Sequence, residues 1–114
     1  MTIPELQDRI RAIKAELSAL GPLHPGSLTE QYNVCGTPGC RCKDPHNPVK
    51  HGPYHQLSYT WRGKSTSRFV RDAEVERTAA KLANYKRLRA LTSEWVDLEV
   101  ELETLERKAA RDGR

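Results

Sequence analysis

The chain has 114 residues, of which 37% are hydrophobic, with a single Phe and a single Met. That is enough for one domain, 1–114, but it supplies few walls for an enclosed substrate pocket, so the reading starts from a non-enzymatic protein. The net charge of +4 is unevenly placed. From His24 to Arg71 seven basic residues meet two acidic ones, a local +5, whereas residues 1–23 balance and the stretch from Asp72 onward comes to −1. No apolar run reaches the length of a membrane span, and MTIPELQDRIR lacks the basic-then-apolar order of a signal peptide, so a cytoplasmic protein is expected.

The first predicted element is a helix within 1–21. Leu6, Ile10, Ile13, Leu17 and Leu20 fall on one stripe at spacings of three and four. Thr2 and Glu5 form a capping-box pattern, Pro4 is tolerated in the first turn, and Gly21-Pro22 ends the run.

Residues 27–71 change to strands and turns. Tyr54 to Trp61 alternates, with Leu57, Tyr59 and Trp61 on one face and Gln56, Ser58 and Thr60 on the other. Arg62-Gly63 reads as a turn, and Lys64 to Val70 returns as the second strand of a hairpin. Leu28 to Val34 is a candidate third strand leading into the cysteines.

All three cysteines, Cys35, Cys40 and Cys42, lie within eight residues, and His51 follows in a stretch punctuated by Gly and Pro. Thiolates and an imidazole in such a set point to one tetrahedral zinc ion closing a knuckle. The same donors suit a [2Fe–2S] cluster as the alternative, or three plain reduced thiols with no metal. His46, between two prolines, and His55, on the strand, compete with His51 for the fourth position. An odd number of cysteines argues against a simple disulfide framework. Arg41 and Lys43 flank Cys42 and would lower a thiol pKa, but no triad, oxyanion-hole motif or phosphate-cradling loop accompanies it.

The cations Arg41, Lys43, Lys50, Arg62, Lys64, Arg68 and Arg71, with Trp61 beside them, are the candidate nucleic-acid contacts. Hydroxyls at Ser65, Thr66 and Ser67 and the rings of Tyr54, Tyr59 and Phe69 keep them company. The plainer reading is a set of charges protecting a strand edge.

A long helix is predicted for 72–110, free of Gly and Pro until Gly113. Trp95, Leu98, Leu102 and Leu105 continue a seam that shifts register around Tyr85 to Leu91. With about 55 Å of long helix against a much shorter first one, the seam is expected to dimerise as a coiled coil through Trp95, Leu98, Leu102 and Leu105.

The strings CGTPGCRC and HGPYHQLSYTWRGKSTSRFV, then a helix with NYKRLRALTSEW, resemble a family of small uncharacterised bacterial proteins sharing a CGxxGCxC, HGPYxxL, GK and (Y/F)V pattern. The likeness runs from Asn33 to Trp95 and matches at Cys35, Gly36, Gly39, Cys40, Cys42, His51, Gly52, Pro53, Tyr54, Leu57, Gly63, Lys64, Phe69 and Val70. The stretch from Lys43 to Lys50 is longer than the pattern's usual spacing. Such proteins are often encoded near transposases and integrases, which implies a mobile-element setting and no particular activity. The expected whole is an α+β fold serving as a zinc-containing nucleic-acid-binding accessory protein, DNA before RNA. It is expected to act as a homodimer, with a larger mobile-element protein as a further candidate partner. A protein–protein adaptor and a redox or metal sensor are the other readings.

Overall fold

In the computed structural model, which describes residues 1–113, the order is α1 (Ile3–Ala19), β1 (Ser27–Asn33), a short 3-10 turn (Arg41–Lys43), β2 (His51–Trp61), β3 (Lys64–Val70) and α2 (Asp72–Asp112). The predicted α+β class is the one found, with a three-stranded antiparallel sheet in the order β1-β2-β3. The described residues form two compact units, one of residues 1–23 with 83–113 and one of residues 24–82.

The first unit is a helical hairpin. Thr2 caps α1 as its sequence predicts: its hydroxyl oxygen accepts the Glu5 N–H at 3.3 Å, and the Glu5 carboxylate accepts the Thr2 N–H at 3.1 Å. Leu6, Ile10 and Ile13 then pack with Leu91, Leu98 and Leu102, flanked by Ile3, Leu17, Trp95 and Leu105. Two bidentate ion pairs fix the register. Arg9 donates to both carboxylate oxygens of Glu94 at 2.7 Å, and Arg87 donates to Glu16 at 2.9 and 3.0 Å. A rise of seven residues on α1 from the first pair to the second matches a fall of seven on α2, so the helices run antiparallel.

This arrangement corrects the premise on which dimerisation was expected. The four residues assigned to a second chain, Trp95, Leu98, Leu102 and Leu105, are engaged by α1 of the same chain, and Leu98 and Leu102 are buried. A helix of 17 residues is about 26 Å long, while Leu91 to Leu105 spans only about 21 Å, so α1 suffices. The earlier part of α2 has another cover.

That cover is the sheet. In the second unit Leu57, Val70 and Leu82 are buried together, with Leu28, Tyr59 and Val75 against them. The register shift seen in the sequence around Tyr85 to Leu91 thus marks where α2 passes from a sheet partner to a helix partner.

Pairing places Leu57 opposite Leu28 on one side and Arg68 on the other, and Gln56 opposite Thr29 and Phe69. Odd-numbered β2 residues therefore share the face of the core, and even-numbered ones the outward face. The outward face is a ladder of amides and hydroxyls: Gln31 with Gln56 at 2.5 Å, Ser58 with Ser67 at 3.1 Å, and Thr60 with Ser65 at 2.8 Å. Arg62 and Gly63 close the β2–β3 hairpin with φ of 52° and 77°, the double positive φ of a turn whose twist suits antiparallel strands.

Candidate metal centre

Loop 34–50 between β1 and β2 has almost nothing apolar to bury. Cys42 is its one buried residue, 2% exposed. Local bonds shape it: the N–H groups of Lys43 and Asp44 reach the carbonyls of Cys40 and Arg41 at 2.9 and 3.2 Å, and Val49 N–H reaches Arg41 O at 2.9 Å. At the tip the Asp44 carboxylate accepts the N–H groups of His46 and Asn47 at 2.9 and 3.4 Å, an Asx turn that suits the DPHN sequence.

The far end of the loop is aimed by β2. Gln31 pairs with Tyr54 but Asn33 with His51, so the register slips between them. An irregularity of this kind re-aims a side chain. Gly52 makes it possible, with φ of 138° and no room for a side chain: a Cβ there would lie 2.7 Å from Gln31 O and 3.0 Å from the Tyr32 ring.

The result is a cluster of Cys35, Cys40, Cys42 and His51 whose donor atoms all lie within 4.8 Å of one another. The sulfurs of Cys35 and Cys42 are 3.5 Å apart, Cys40 Sγ is 3.2 Å from His51 Nε2, and the Cys35 N–H donates to Cys42 Sγ at 3.3 Å. A tetrahedral ion with metal–sulfur bonds of ~2.3 Å holds its sulfurs about 3.8 Å apart, so little movement separates this cluster from a ligand shell. These four residues could hold a metal ion, and all three cysteines are free of disulfides.

Electrostatics favour a cation. The Thr37 N–H, then the neighbouring Cys40, Cys42 and His51 side chains, hold the Cys35 thiol down to about 6. Cys40 is lowered as well, first by the N–H of Cys42, whereas burial pushes Cys42 up. His51 is raised above 6.5, first by its hydrogen bonding to Cys35 and then to Cys40. The donors thus share protons among themselves, and a bound cation replaces those protons.

The competing histidines lie elsewhere. His46 is exposed at the loop tip, outside the cluster, and His55 stands between Glu30 and Asp72, 3.6 Å from a carboxylate oxygen of each. The sequence favoured His51 over these two, and it is His51 that lies with the sulfurs.

Residues 3–80 match a domain of unknown function, DUF6788. The chain belongs to the DUF6788 family. No curated protein and no solved structure matches it. The span shared with DUF6788 contains α1, the whole sheet, the cysteine loop and the first turns of α2.

Of the candidate nucleic-acid residues, Arg41, Lys43, Lys50, Arg62, Lys64, Arg68 and Arg71 are all exposed, and none takes part in an ion pair among the described residues. Outside that segment Arg9, Arg11, Arg77 and Arg87 have carboxylate partners, while the other described cations, such as Lys14, Lys81 and Lys86, are also without one. Trp61 is 55% exposed at the end of the core-facing side of β2, with the Arg62 guanidinium 6.0 Å from its ring centre. Tyr54 and Phe69 stand out in the sequence only as aromatic companions of these cations. They line one pocket with Asn33, Cys35 and His51, and the odd–even alternation of β2 and β3 carries the signal that sets both on the outward face. No helix among the described residues is long and apolar enough to cross a membrane.

Proposed function

We propose that this DUF6788 protein is a non-enzymatic nucleic-acid-binding protein whose cysteine loop is held by one zinc ion. Zinc is favoured because three thiolates and an imidazole form a closed, four-donor set suited to a structural ion. The role of the metal is then to order loop 34–50, which presents Arg41, Lys43 and Lys50. A visible absorption band in the purified protein would point to an iron–sulfur cluster instead.

The observation that carries the binding function is the group of seven exposed, unpaired cations in a segment with only two acids. Unpaired exposed cations keep their full charge for phosphates, and a concentration of them on one segment gives a sequence-independent attraction to a polyanion. DNA is the first probe, and the cellular setting suggested by the sequence resemblance is a mobile element's DNA transactions. Binding is expected to weaken steeply with salt, and reversing Lys64 and Arg68 to Glu is expected to lower affinity about tenfold or more for every sequence while leaving the fold intact. Anisotropy titrations at several salt concentrations measure both. A wild-type protein that binds neither DNA nor RNA, single- or double-stranded, at about 50 mM salt would overturn the reading and move attention to a protein-capturing adaptor.

A further inference from the structure

The outward face of the sheet is polar apart from two rings. Tyr54 on β2 is 42% exposed and Phe69 on β3 is 68% exposed. Phe69 pairs with Gln56, so Tyr54, two residues earlier, is its diagonal neighbour on the same face, within reach of a shared ligand. The two rings border one shallow pocket of about 400 Å³ that also reaches Cys35 and His51. No charged side chain stands on this face of the three strands. Unpaired cations lie beyond both its ends, Arg41 and Lys43 in the cysteine loop and Arg62 at the hairpin turn. β2 runs about 33 Å between those ends at ~3.3 Å per residue.

We infer that this face is a stacking platform for single-stranded nucleic acid, a refinement that rests on the binding function proposed above. Tyr54 and Phe69 each take the flat of a base. The ladder of amides and hydroxyls meets base edges and sugars, and the cations at either end meet the phosphates that leave the platform. Base stacking on exposed rings is tolerant of sequence, and a paired base cannot offer its face, so the platform selects single strands over duplex. A protein partner fits the surface less well: two rings in a field of hydroxyls make no continuous apolar patch, and the charge beyond the face is mainly positive, with Asp44 the one acid in the loop.

The test titrates the full-length, metal-loaded protein with fluorescein-labelled oligothymidylate of about 20 nucleotides and with a duplex of equal length. Wild type is expected to prefer the single strand. Tyr54→Ala and Phe69→Ala are each expected to weaken single-strand binding about tenfold, with duplex binding and the salt slope unchanged, and Tyr54→Phe is expected to restore it. The rings lie beside the metal cluster, so the metal content of each variant is measured as well. If an alanine variant loses metal, Ser67→Glu decides, since it places a carboxylate on the same face on neither the pocket nor the loop and is expected to cost a similar factor on the single strand. Wild-type binding to nucleic acid with all three substitutions silent overturns the platform and leaves the proposed function standing. Failure of the wild type to bind any nucleic acid removes both.

Discussion

Replacing Cys40 by Ser is expected to release the proposed zinc ion and to melt loop 34–50 while the two helices persist. Ordering that loop costs roughly 17 kcal/mol at ~1 kcal/mol per residue of backbone entropy. Four backbone hydrogen bonds, from the N–H groups of Cys40, Lys43, Asp44 and Val49, and three more from Cys35, His46 and Asn47 to side chains offset about 7 kcal/mol of it, and the burial of Cys42 about 1 kcal/mol more. The remainder, about 9 kcal/mol, is covered by the ~10–16 kcal/mol that a structural zinc site supplies, so without the ion the balance turns against the folded loop. Serine offers a weakly acidic hydroxyl in place of a thiolate and leaves the ligand set incomplete. The assay is elemental analysis combined with limited trypsin digestion, because Arg41, Lys43 and Lys50 are cleavage points inside the loop. Wild type is expected to hold one ion per chain and resist cleavage there, and the Cys40→Ser protein and chelator-treated wild type are expected to be cut at those positions within the same digestion. Stoichiometric metal in Cys40→Ser, or a metal-free wild type as resistant as the loaded one, would refute the reasoning.

Leu91 is fully buried between the helices, so Leu91→Ala is expected to lower the unfolding free energy in urea by about 2–5 kcal/mol, with the sedimentation behaviour of the native protein unchanged. A change of oligomeric state without loss of stability would return the seam to a second chain. The Arg9–Glu94 pair gives a pH signature: hydrogen bonding from Arg9 lowers the Glu94 pKa below its ordinary 4.5 and that to Glu94 raises Arg9. A carboxylate whose pKa is depressed by folding contributes stability that is present above the unfolded value and is lost as pH falls through the folded one. Thermal melts of wild type and Arg9→Ala are therefore expected to differ at neutral pH and to converge as the pH is taken below 4.5. A difference that stays constant down to the acid limit would show that Arg9 acts through packing alone.

Local chemistry made much of the molecule legible in the sequence. The cap at Thr2 and Glu5, the alternation of β2 and β3 and the turn at Arg62-Gly63 each depend on residues a few positions apart. The structure contains all of them. The three cysteines announced a donor cluster in the same way. The ends of elements moved slightly, with α1 at Ile3–Ala19 within the predicted 1–21, β1 at Ser27–Asn33 in place of Leu28 to Val34, and β2 starting at His51 rather than Tyr54.

What the tertiary structure decided is the partner of each apolar stripe and the aim of each donor. An amphipathic helix states that it will be covered but not by what. α2 has two different covers, sheet from Val75 to Leu82 and α1 from Leu91 to Leu105, and the seam that had looked like a coiled-coil interface is satisfied within the chain. Three histidines of similar chemistry stood near the cysteines in sequence. Only the register slip at Gly52 turns one of them, His51, onto the sulfurs, because the backbone there passes too close to Gln31 and Tyr32 for any residue with a side chain. Tyr54 and Phe69 likewise became neighbours only through strand pairing, since residues far apart in the chain are brought onto one face by hydrogen bonds between strands, which periodicity within a single strand does not record.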